Sequence, residues 1–269
     1  MPYVLRDDVR IHYRVAGPDK GEAPPMVLIH ANPFDHTLWL YQIARFSTWF
    51  RVIAVDIRGY GRTDKVEDAY TLEDMCDDVM AVVDHEEADG AVLMGASVGS
   101  KMALMLALDH PDAFSAVVLV GGSAGKQPSH FDRRIKGYRT RGPELYHREH
   151  LESLVAPEFP KSRLGDYLLR IQTEKDEALS GSAIARVFEA LAAAGVDDRL
   201  TAMKPPVLVV NGEHDTALPR GRETAAAIAG ARHVVLEGAG HACNIEVPQA
   251  FDDAVIAFLR DKGLMPDIR

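Results

Sequence analysis

The stretch LMGASVGS, Leu93 to Ser100, decides how this chain is read. An apolar run stops here, a helical pattern starts, and Ser97 stands between Gly95 and Gly99 at the junction. A nucleophile presented at a sharp strand-to-helix turn is held in a strained backbone, so the residues two before and two after it must be small. Gly95 and Gly99 meet that need. At the head of a helix, free N–H groups and the helix dipole also favour developing negative charge. The plainer reading is a small residue in a Gly-rich turn, so the surrounding sequence has to decide.

Outward from Ser97, AVLMG reads as a buried strand, Ser97 to Asp109 as a helix and AVVLVGG as the next strand. Upstream, VRIHYRVAG alternates with period two and reads as a strand ending at Gly17, and MVLIH as a short buried strand. Helical spacing runs from Asp35 to about Phe50. RVIAVD forms another strand, and Thr71 with Asp74 makes a capping box for a helix reaching about Glu87. From Ala124 to about Val196 the pattern is helical, interrupted by Pro128, Pro143, Pro157 and Pro160. PPVLVVNG and ARHVVLEG then restore the strand–helix alternation, with a last helix after Pro248. This order predicts an α/β fold with a mostly parallel central sheet covered by helices on both faces. Residues 1–123 and 197–269 form the expected core, and 124–196 an inserted helical cap.

Length and composition are those of a globular domain: 269 residues, 47% hydrophobic and 26% charged. The net charge of −10 argues against a nucleic-acid or anionic-membrane partner. The 124–196 segment runs against this balance, with 12 Lys and Arg to 10 Asp and Glu. Cys76 and Cys243 form no CxxC pair, which suits a reducing compartment. MPYVLRDDVRIHYRV lacks the basic-then-apolar order of a signal peptide, and no apolar run approaches the roughly 18 residues of a membrane span. The expected location is cytoplasmic.

Five motifs now fall into one order: IHANP, DIRGYGRTD, GASVGS, NGEHDTALP and GAGHACNIEVP. Over nearly its whole length the chain resembles the Ser-dependent α/β-hydrolases that carry a cap domain. A serine hydroxyl needs a base to remove its proton, and that base needs an orienting acid. The resemblance makes Ser97 the nucleophile, Asp215 the acid and His241 the base, in the family's chain order. Glu213 is the second choice of acid, and Asp215 alternatively reads as a turn residue before Pro219. His30, His36, His110 and His233 read as packing or surface residues. By the same resemblance the oxyanion hole combines the backbone N–H groups of Val98 and Asn32. Glu246 and Pro248 should start the last helix. Two departures stand out: Ala31, where the family has a glycine able to take positive φ, and Ser100, where glycine or alanine is common.

HANP is also similar to the haloalkane dehalogenases, in which an asparagine at the position of Asn32 holds the halide. Those enzymes attack an alkyl carbon with a carboxylate. Ser97 attacking such a carbon would leave an ether that water and His241 could not readily cleave, so an acyl carbon is the expected target. No HExxH, paired CxxC or P-loop pattern occurs, and neither metal nor cofactor is expected. HREH, His147 to His150, reads as a solvated helix face, and GYGRTD lacks the third glycine of a dinucleotide fingerprint. Asp56, Arg58, Gly59 and Gly61 would shape a structural turn. The basic run RRIKGYRTR, Arg133 to Arg141, reads either as a solvated helix face or as the source of an arginine that meets a substrate carboxylate.

The expected function is hydrolysis of a small carboxylic ester or lactone through an acyl-enzyme, the motifs being most similar to the enol-lactonase-like and carboxylesterase-like branches. Three alternatives share the same residues: a C–C bond hydrolase of a vinylogous diketone, a cofactor-free lyase or dioxygenase, and a small-molecule receptor.

Overall fold

The computed structural model describes residues 2–125, 128–174 and 178–266. Residues 126–127 and 175–177 of the predicted cap segment lie outside the described residues. Eight strands form one sheet: β1 (Tyr3–Arg6), β2 (Val9–Ala16), β3 (Pro25–Ile29), β4 (Arg51–Val55), β5 (Ala91–Ala96), β6 (Phe114–Val120), β7 (Val207–Gly212) and β8 (Arg232–Leu236). Their order is β1-β2-β4-β3-β5-β6-β7-β8. β1 and β2 run antiparallel to their neighbours, and β4 to β8 with β3 are mutually parallel. The mostly parallel α/β sheet expected from the alternation is therefore present.

β1 escapes the sequence reading, which starts the sheet at Val9. Asp7 and Asp8 take φ of 47° and 66°, the positive values that a two-residue hairpin between antiparallel strands requires. YVLR is only four residues long and lies at the sheet edge, too short for alternation to mark it.

The central strands are apolar on both faces, and each contributes to two cores. Val27, Ile29, Ile53, Val55, Val117 and Leu119 pack on one side of the sheet. Met26, Leu28, Val52, Ala54, Ala116 and Val118 pack on the other. This is the period-two geometry of a strand buried twice.

The first helical stretch is shorter than its pattern: a 3-10 turn, His36–Trp39, leads into α1 (Leu40–Phe46). α2 (Leu72–His85) opens on the expected capping box, with Thr71 and Asp74 bonding each other's backbone. α3 (Val98–Asp109) is buried on almost every side, as a helix apolar all round must be.

Between β6 and β7 the described residues hold helices and no strand: α4 (Pro128–His150), α5 (Arg163–Thr173) and α6 (Gly181–Ala193). α4 bends at Gly142, where φ is 73° and ψ 170°. Pro143 then restarts the helix, since a first-turn proline needs no N–H partner. Tyr138 of α4 stacks on Phe188 of α6, with centroids 5.7 Å apart and planes 12° from parallel. Lys101 of α3 fastens this segment to the core, its Nζ donating to the carbonyls of Gly125, Leu191 and Ala194 at 3.2, 3.2 and 2.7 Å. Two of those carbonyls end α6, where a cation also suits the dipole. α7 (Leu218–Ala227), α8 (Cys243–Glu246) and α9 (Pro248–Asp261) complete the chain. Among the described residues no helix is long and apolar enough to cross a membrane.

Candidate active site

Ser97 sits between the end of β5 and the start of α3 with φ 51° and ψ −105°, outside the regions an L-residue prefers. Its N–H donates to Val120 O at 2.7 Å, tying the turn to β6. A Cβ on Gly95 would be driven into the carbonyl of Gly99, and one on Gly99 into the carbonyl of Ile29. Both glycines are therefore required by close backbone approach. Ser100, the departure noted in the sequence, becomes a strap: its Oγ donates to Gly95 O at 2.6 Å and accepts from Val120 N at 3.1 Å.

Asp215 follows β7 and is 4% exposed. Its Oδ1 meets His241 Nδ1 at 2.8 Å and accepts from Ala217 N at 2.8 Å, while Oδ2 accepts from Asn211 Nδ2 at 2.8 Å. Burial opposes ionisation of this carboxyl, but His241, Asn211 and the Ala217 N–H outweigh it and hold its pKa below the ordinary value. Asn211 is itself held by His233 at 3.0 Å. Motif reading missed Asn211, although its place at the end of β7 marked it. Glu213 is exposed and accepts from Gly238 N at 3.0 Å, away from the histidine.

The His241 ring packs on the backbone of Gly121, where a Cβ would come within 2.7 Å of it. Pro248 starts α9 as expected, but Glu246 does not. It ends α8 and turns its carboxylate inward, accepting from Gly240 N at 2.9 Å and Ala156 N at 2.7 Å. Two otherwise unpaired backbone donors attract it there.

Ser97, Val98, Asn32 and His241 line one cavity of about 70 Å³. Among the described residues the backbone N–H groups of Asn32 and Val98 have no acceptor within the chain. The concern over Ala31 resolves simply, because it keeps a negative φ and is absent from the left-handed positions. The Asn32–Pro33 peptide is cis. Asn32 Oδ1 accepts from Tyr60 Oη at 2.7 Å and Tyr138 Oη at 2.8 Å, which fixes the loop from both the core and α4. His30 beneath it joins Ala31 O at 2.9 Å and accepts from Ile57 N at 3.1 Å. Burial lowers its pKa, so its role is packing.

The DIRGYGRTD turn is structural. Asp56 is buried between His12 and His36, each at 2.8 Å, and accepts from Arg62 N at 3.0 Å. Burial disfavours its charge, yet the two imidazoles more than offset this and lower its pKa. These three are the one cluster among the described residues with atoms close enough to share a cation. The facing nitrogens are already engaged on the carboxylate. Arg58 pairs with Asp78 at 2.6 Å.

The HREH segment departs from a solvated face. His147 is 1% exposed and meets Tyr138 Oη at 2.9 Å, and burial with nearby Arg134 pushes His150 down to about 3. His147 packs inward against the Tyr138 hydroxyl, the same group that donates to Asn32 Oδ1. The basic run divides: Arg139 pairs with Glu189 and Arg141 with Glu149, whereas Arg134 turns into the cavity.

The family model described as the alpha/beta hydrolase fold matches residues 24–248. A protein of Rhizobium rhizogenes named as a carbamate hydrolase, RutD, is 27% identical over 94% of this chain and 99% of its own. The 3-oxoadipate enol-lactonase 2 of Acinetobacter baylyi is 29% identical over 94% of each chain. The crystal structure of the enol-lactonase from Burkholderia xenovorans LB400 superposes with a TM-score of 0.91 at 31% identity, covering 96% of this chain and 100% of the other. The chain belongs to the alpha/beta hydrolase fold family.

Proposed function

We propose that the chain is a serine hydrolase that cleaves a small carboxylic ester or lactone through an acyl-enzyme. One observation carries the reading: His241 Nδ1 lies 2.8 Å from Asp215 Oδ1, on the wall of a cavity that Ser97 also lines. In this reading Ser97 Oγ attacks the acyl carbon while His241 Nε2 takes its proton. Asp215 keeps the Nδ1–H tautomer and stabilises the imidazolium that forms. The N–H groups of Val98 and Asn32 hold the oxyanion, each typically worth about 10²–10³ in turnover. His241 returns the proton to the departing alkoxide, then deprotonates the water that releases the acid and restores Ser97. Residues 124–196 act as the cap that excludes solvent.

The test is a panel of nitrophenyl esters of graded acyl length, lactones, a carbamate and a vinylogous diketone, with Ser97→Ala as blank. Ester or lactone turnover that disappears in Ser97→Ala, together with labelling by a serine-directed phosphonate, is the expected result. Turnover or labelling that survives the substitution overturns the mechanism. Diketone cleavage alone would make it a C–C hydrolase, and ligand-induced stabilisation without turnover would make it a receptor.

A further inference from the structure

We infer that Arg134 and Arg220 form a carboxylate-binding subsite of the Ser97 cavity, so that the substrate is an ester or lactone of a short acid that keeps a second, free carboxylate. This deepens the serine-hydrolase reading and rests on it for the word substrate.

Both side chains line the cavity with Ser97 and His241, one from α4 and one from the first turn of α7. No Asp or Glu lines it with them. Among the described residues neither arginine has a carboxylate partner, although Arg139 and Arg141 on the same helix as Arg134 both do. Lys101, the other cation on the wall, is engaged by three carbonyls.

Arg134 Nε donates to His130 Nε2 at 3.2 Å, and its guanidinium lies 5.4 Å from the Phe188 centroid. That leaves the far edge of its fork without an acidic partner. Arg220 Nε is buried with no acceptor. It also stands in the first turn of α7, which holds no acidic residue of its own and where the dipole is unfavourable to a cation. The field of the pair reaches its neighbour: burial, then Arg134 and Arg220, drive His130 down to about 4. His130 is thus a neutral acceptor that orients Arg134 and leaves the positive charge to the guanidiniums.

Two cations lining one cavity with no acidic residue beside them favour an anionic occupant, and a carboxylate supplies the charge. A planar guanidinium fork matches carboxylate geometry and is always charged. A neutral ester of the same length would leave both groups unpaired. Selectivity follows, expected at about 10- to 100-fold in kcat/KM for one charged contact.

The experiment compares kcat/KM for mono-nitrophenyl glutarate and nitrophenyl butyrate in the unaltered protein, Arg134→Gln, Arg220→Gln and Arg134→Lys. Binding of glutarate itself is measured calorimetrically on the same four proteins. The unaltered protein should prefer the acidic ester, that preference should fall at least about tenfold in each Gln variant, and Arg134→Lys should recover part of it. Glutarate should bind the unaltered protein and bind the Gln variants more weakly. An acidic-to-neutral ratio unchanged in both Gln variants, or glutarate binding that is absent or indifferent to them, overturns the subsite. Neutral-ester turnover with no acidic preference rejects the subsite and keeps the hydrolase. Arginine-dependent glutarate binding without turnover of either ester keeps the subsite and rejects the hydrolase.

Discussion

At the Ser97 elbow the core wall of the cavity is fixed by main-chain contacts, whereas the wall supplied by residues 124–196 is held largely through side chains. On the core side, Gly95 and Gly99 press against neighbouring carbonyls and Ser97 takes a positive φ between them. Asp215 is buried against one main-chain donor, Ala217 N, and two side chains, Asn211 and His241. On the helical side, the Tyr138–Phe188 stack, the Lys101 clasp and the Arg134–His130 pair do the holding. Backbone-fixed groups tolerate little displacement and suit bond-making. Side-chain-fixed groups can be exchanged without disturbing the sheet and suit discrimination. The division implies that chemistry and selectivity can be damaged separately.

The sharpest way to break that comparison is Asp215→Asn, which keeps the shape but removes the charge proposed to steady the imidazolium. It should lower kcat by about 10⁴-fold, while leaving intact the acidic-to-neutral preference proposed for Arg134 and Arg220. A parallel loss of preference would mean that the two walls do not act independently. Next in size is Gly99→Ala. Its Cβ has no room against the Ile29 carbonyl, so urea unfolding should show a loss of roughly 1–3 kcal/mol. An unchanged midpoint would show that the elbow yields. The smallest effect belongs to the helical wall and is read by pH. His130 lies near 4 instead of 6.5, so the folded protein binds less proton than the unfolded chain between those values. Its contribution to stability is present above 6.5 and is lost as pH falls through about 4. Following the imidazole by NMR should place its midpoint near 4 and move it upward in Arg134→Gln. A midpoint that ignores Arg134 would separate His130 from the arginine field.

Legibility followed the same division. The placing of Ser97 and His241 on one cavity and of Asp215 against His241 was legible in sequence because the turn around each demands particular residue types in a local order. The α/β alternation was readable because each central strand is apolar on both faces. The helical wall was not readable in this way. Arg133 and Arg134 are adjacent and chemically identical, and only the seating of α4 on Phe188 decides which enters the cavity. The Tyr138 hydroxyl reaches Asn32 across 106 positions of sequence, so no local pattern announces it. His147, expected in solvent, is buried against the Tyr138 hydroxyl nine positions away. Glu246 was expected to open a helix, but tertiary demand from two backbone donors claimed it.

That glutamate links the two walls. One of its oxygens holds Ala156 of the helical segment, and the other holds Gly240, the residue before His241. One side chain therefore serves as a rivet between the two walls: displacing Ala156 would remove one of the two hydrogen bonds that seat a carboxylate whose other oxygen holds the neighbour of His241.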